Sequence, residues 1–112
     1  MANYSAVLDD VFAALSDPTR RAVLRRLGAG EASVSDLAAD TSMALPSFLK
    51  HVRTLEDSEL VRTSKKGRVR MCSLRRERFV LIEDWLLAQR GIWEGRTDRL
   101  EELVVDLGKE HP

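Results

Sequence analysis

The sequence predicts a mainly α-helical chain with one small β-hairpin, and three features lead there. Apolar residues recur at helical spacing through most of its length. One stretch, RTSKKGRVRMCSL (62–74), abandons that period for alternation around a single glycine. A seven-residue apolar repeat then takes over and continues to Leu107.

Val7, Leu8, Val11, Phe12 and Leu15 share one helical face, which predicts a first helix over about 3–15. Ser16, Asp17 and Pro18 end it. Asp17 suits the cap of a second helix, with Pro18 in the first turn where its missing N–H costs nothing. That helix turns Ala22, Val23, Leu24 and Leu27 inward and stops at Gly28; Arg20 and Arg21 read as solvated. Ser33-Val34-Ser35-Asp36 resembles a capping box and predicts a short third helix to about Ala39. After a connection of about four residues, a fourth helix is expected over about 44–57. Leu45, Phe48, Leu49, Val52 and Leu55 form its apolar face, with Ser47, Lys50 and Thr54 opposite and His51 and Arg53 at the flanks. The hairpin follows over about 62–74 with Gly67 at its tip. A long final helix is expected over about 76–107.

In that helix Phe79, Leu86, Trp93, Leu100 and Leu107 fall seven residues apart, with Ile82 and Leu103 on a neighbouring stripe. So long a stripe exceeds what a small core needs, which predicts a homodimer. Its expected interface is Val7, Val11, Phe79, Ile82, Leu86, Trp93, Leu100 and Leu103.

The chain is one domain's worth of sequence, and a single domain over 1–112 is expected. Eighteen basic and eighteen acidic residues cancel overall, yet they are segregated. Residues 44–78 carry a net +6, residues 79–112 a net −4 and residues 1–43 a net −2. A basic middle is the footprint of a surface that binds a polyanion. The one cysteine, Cys72, has no intrachain partner, the first residues lack the pattern of a secretion signal, and no apolar run suits a membrane span; a cytoplasmic protein is expected. No nucleophile–base spacing, phosphate-cradling glycine loop or metal cluster appears, so the chain reads as no enzyme, with no cofactor and no metal.

The predicted element order is that of a winged helix-turn-helix with N- and C-terminal dimerisation helices. FAALSDPTRRAVLRRLGAGEASVSDLA, SFLKHVRTLEDSELV and KKGRVRMCSL moreover resemble the ArsR/SmtB family of bacterial transcriptional regulators, closely over about residues 8–78. The resemblance implies a dimeric DNA-binding repressor acting on a partly palindromic operator, with the fourth helix in the major groove and the hairpin as wing. On chemistry, Ser47, Lys50 and Thr54 are assigned to base edges, and His51, Arg53, Lys65, Lys66, Arg68 and Arg70 to phosphates. Where thiol-using metal sensors of that family carry a cysteine pair, this chain has Ser33 and Ser35, poor ligands for a soft metal. It also has Glu59 where a glycine is usual in the turn after the recognition helix. Two alternatives stand beside this expectation. One is a winged helix that docks on protein. The other is a redox-sensing repressor in which nearby cations such as Arg70 lower the pKa of Cys72. No small-molecule effector is legible.

Overall fold

A computed structural model describes residues 4–109, with side chains described over residues 5–95. The elements run α1 (Tyr4–Leu15), α2 (Pro18–Leu27), β1 (Ala32–Ser33), α3 (Val34–Ala39), α4 (Leu45–Asp57), β2 (Val61–Lys66), β3 (Val69–Leu74) and α5 (Arg76–Lys109). The chain forms two compact units, one ending at Phe79 and the other beginning at Val80.

In the first unit, α2 packs on α1 and α4, α3 packs on β3, and α4 packs on β2. Its core is apolar and nearly dry: Val11, Leu27, Phe48, Leu55, Leu60 and Val61 are all but wholly buried. The sheet is antiparallel with order β1-β3-β2. β2 and β3 pair from Val61↔Leu74 to Lys66↔Val69, and Gly67 (φ 65°) supplies the left-handed residue at the tip. The third strand, β1, pairs Ala32 with Cys72 and Ser33 with Met71, which makes β3 the central strand. A two-residue strand leaves no alternation to read, so the sequence reading found the hairpin without it.

The caps follow local chemistry. Asp17 accepts the Arg20 N–H at 3.0 Å and opens α2; Ser33 accepts the Asp36 N–H at 3.0 Å and opens α3. The Arg20 N–H, aided by the charges of His51 and Arg20, holds the Asp17 carboxyl below its ordinary value. A depressed carboxylate pKa stabilises the fold above the unfolded-state value and ceases to do so as pH falls through the folded-state value. Asp17→Ala is therefore expected to cost about 1 kcal/mol at neutral pH. The gap to wild type should narrow on acidification, measured by urea melts across pH 7 to about 3. A constant gap would contradict this.

The end of α4 is a Schellman motif. The Leu60 N–H reaches Leu55 O at 3.0 Å, the Glu59 N–H reaches Glu56 O at 3.0 Å, and Leu55 and Leu60 are both buried. Its left-handed position is Glu59, at φ 61°, the one non-glycine with positive φ among the described residues. The Glu59 carboxylate pairs with Arg75 at 3.2 Å and with Arg78, so the side chain that strains the turn also ties it to the start of α5. Glu59→Ala keeps the strain and removes the pairs, whereas Glu59→Gly removes both. The glycine variant is expected to exceed the alanine variant in stability by about 1 kcal/mol in chemical denaturation. Equal stabilities would show that the turn carries no strain.

In the second unit, Ile82 is buried, whereas Leu86, Leu87, Ile92 and Trp93 are exposed along α5. The side chains of Leu100, Leu103 and Leu107 lie outside the described residues. No described helix is long and apolar enough to cross a membrane.

Candidate nucleic-acid interface

The geometry of α4 is set by what it buries. Phe48, Val52 and Leu55 turn inward, at steps of about one helical turn. The remaining surface then forms two parallel rows at i, i+4 and i+8: Leu45, Leu49, Arg53 and Pro46, Lys50, Thr54. All six are exposed, as is Ser47 at the margin. Pro46 sits in the first turn, where it displaces no helical hydrogen bond. Thr54 donates its hydroxyl to Lys50 O at 3.0 Å and keeps its own lone pairs outward.

Cations on the first unit fall into two groups. Some are already neutralised or engaged. Arg26 pairs with Asp40 at 2.8 Å, Lys66 with Glu31 at 2.9 Å, and Arg75 with Glu59 and Glu77. Arg20 donates to Ala14 O at 2.7 Å and Ala13 O at 3.1 Å, and Arg21 to Leu15 O at 2.7 Å. Arginines read from sequence as solvated thus satisfy the last carbonyls of α1, where a cation complements the helix dipole. The second group is different. Lys50, Arg53, Lys65 and Arg68 are exposed, and none forms an ion pair or hydrogen bond among the described residues. Two lie on α4 and two flank the hairpin tip.

The other assigned residues sit as follows. His51 faces back into the fold, 20% exposed, with Nδ1 3.0 Å from the Arg20 guanidinium and 3.7 Å from Asp17. It ties α4 to the start of α2. Arg70 donates to Thr63 Oγ1 at 3.1 Å, and Thr63 in turn donates to the Glu56 carboxylate, so the wing strands are hydrogen-bonded to the last turns of α4. Between them lies a cleft of about 320 Å³ lined by Val34, Leu49, Val52, Arg53, Glu56, Thr63 and Arg70. Val7 is half-buried and Val11 fully buried.

Cys72 is wholly buried in the central strand. Desolvation, with the nearby Glu56 charge adding to it, pushes the thiol up to about 11. The direction is opposite to the lowering that a redox switch needs, because burial outweighs the neighbouring arginines. Native protein is expected to resist thiol modification, with Cys72 reacting only once denaturant is added. Rapid labelling of folded protein accompanied by loss of DNA binding would revive the redox reading.

A short helix, a tight turn, a helix with a polar cationic face and a basic β-hairpin together define a winged helix-turn-helix DNA-binding protein. Comparison with known proteins agrees. The Helix-turn-helix domain family matches residues 15–64. The transcriptional repressor SdpR of Bacillus subtilis is 31% identical over 80 residues, covering 71% of this chain and 89% of that protein. The crystal structure of an ArsR family transcriptional regulator superimposes with a TM-score of 0.78 at 54% identity, covering 84% of this chain and 97% of that one. A homodimeric winged helix-turn-helix DNA-binding domain from Mycobacterium bovis shares the fold, with a TM-score of 0.60 at 22% identity over 82% of this chain and 90% of its own. The chain belongs to the ArsR family of winged helix-turn-helix regulators and is a DNA-binding transcriptional repressor.

Proposed function

We propose that the protein is a homodimeric repressor that reads a partly palindromic operator through α4 and holds the flanking phosphates with its wing, without sensing a metal. The observation that carries this reading is the unpaired set Lys50, Arg53, Lys65 and Arg68, held on the one helix and the one hairpin that can reach DNA together. Exposed cations with no internal partner gain most from phosphate, since binding releases counterions and breaks no ion pair.

Within this reading Ser47, Lys50 and Thr54 face base edges, with Lys50 directed to guanine. Arg53, Lys65 and Arg68 hold phosphate directly. Lys66 and Arg70 join after exchanging their present partners, Glu31 and Thr63. His51 acts from behind, by fixing the height of α4 over α2. Ser33 caps α3 with its hydroxyl and offers no thiolate, which supports regulation by something other than a thiol-bound metal.

The dimer is supported by the exposed apolar residues of α5, chiefly Leu86 (48%) and Trp93 (57%). Light scattering on wild type is expected to give twice the protomer mass, and Leu86→Lys to shift it toward the monomer. A wild-type monomer bound to DNA would contradict the dimer.

The base-edge assignment has its own test. Lys50→Ala should reduce discrimination between an enriched duplex and random duplex by about 1–3 kcal/mol. Equal loss on both would make Lys50 a phosphate ligand instead.

A further inference from the structure

We infer that Leu45 and Leu49 read thymine methyl groups in the operator, making the row Leu45–Leu49 a specificity element beside the polar row. The inference rests on the reading of α4 as the helix that enters the major groove.

Both residues follow the apolar period that the sequence uses for the core, yet neither is in it. Leu45 is 54% and Leu49 41% exposed. A single exposed leucine is ordinary on any surface. Two stacked at i and i+4, on the N-terminal turns of one functional helix, form a continuous apolar strip. The fold does not ask for it: at exposed helix positions alanine serves the helix at least as well and leaves less apolar surface in water.

The occupant is chosen by the surroundings. Continuing the same row is Arg53, and alongside it is Lys50; both are exposed and unpaired among the described residues. A second copy of this chain docking through this strip would bring like charges together. A duplex brings phosphates to the cations, and its major groove offers an apolar group that protein can recognise, the thymine C5-methyl. The N-terminal turns of a recognition helix are also the part that approaches base edges most closely. Leu49 is further placed by its position on the rim of the cleft shared with Arg53 and Arg70, which fixes the strip relative to the wing.

The experiment removes only the methyl. Duplexes are first enriched from a random library by the full-length protein, and each thymidine of the resulting site is then replaced in turn by deoxyuridine. Affinities are compared by anisotropy for wild type, Leu45→Ala, Leu49→Ala and the double variant, with thermal melts and light scattering confirming fold and assembly. At one or more positions per half-site, uracil should weaken wild-type binding about three- to fivefold, the worth of one buried methyl. The same uracil should leave the variant lacking the facing leucine unaffected. Wild type indifferent to uracil everywhere, or wild type and both variants weakened alike, would overturn the inference while leaving the repressor reading standing. Leucine variants that lose dimerisation would overturn it in favour of a protein contact. Failure to enrich any sequence would instead defeat the operator reading itself.

Discussion

Alanine at Arg53, Lys65 and Arg68 together is expected to leave the protein folded and to lower its affinity for specific and random DNA alike. Each phosphate contact contributes about 0.9 to the slope of log affinity against log salt, so the slope should flatten by about 3. Near 0.15 M salt each contact is then worth roughly fivefold, and the three together on the order of 100-fold. Because these side chains are exposed and form no internal pair among the described residues, stability should change by no more than about 0.5 kcal/mol. A loss confined to the enriched sequence would show that the wing and Arg53 read bases. An unchanged salt slope would remove them from the interface.

Phe48→Ala is expected to have the largest effect on the fold. Phe48 is wholly buried on the inner side of α4 and anchors the helix whose outer side carries Lys50. Truncating a buried phenylalanine costs about 3–5 kcal/mol through lost burial and the cavity left behind. Domains of this size hold about 5–15 kcal/mol in total, so a large share of the margin disappears. The urea midpoint should fall steeply, and DNA binding should fall with it because α4 loses its seat. A variant destabilised by less than about 1 kcal/mol would mean that the neighbouring side chains collapse into the gap.

Most of the architecture was legible because each element declares itself locally. Asp17 and Ser33 cap where their chemistry suggests, Pro18 and Pro46 stand in first turns, and Gly67 marks the hairpin tip. What escaped depends on residues distant in sequence. β1 exists only because β3 lies beside it, and that partnership also buries Cys72 from both sides. Arg20 and Arg21 looked like solvated charges because a helical period says nothing of the carbonyls that end the previous helix. The cations of the middle segment likewise looked equivalent on paper. Pairing separates them: Lys66, Arg75 and Arg78 meet carboxylates, while Lys50, Arg53, Lys65 and Arg68 do not. Leu49 was assigned inward by its period, but Val52 and Phe48 fill that side and leave it at the rim.

Glu59 shows both limits at once. Its place in the turn after α4 suggested a backbone that prefers glycine, and φ is indeed left-handed there. The ion pairs with Arg75 and Arg78 that accompany it required the tertiary structure.

The most direct measurement is a fluorescence-anisotropy titration of wild-type protein with an enriched duplex, repeated over a salt series and against unlabelled random competitor. The proposed interface predicts binding that survives the competitor and weakens steeply with salt. A folded protein that does not bind at low salt, or binds every duplex equally, would contradict it.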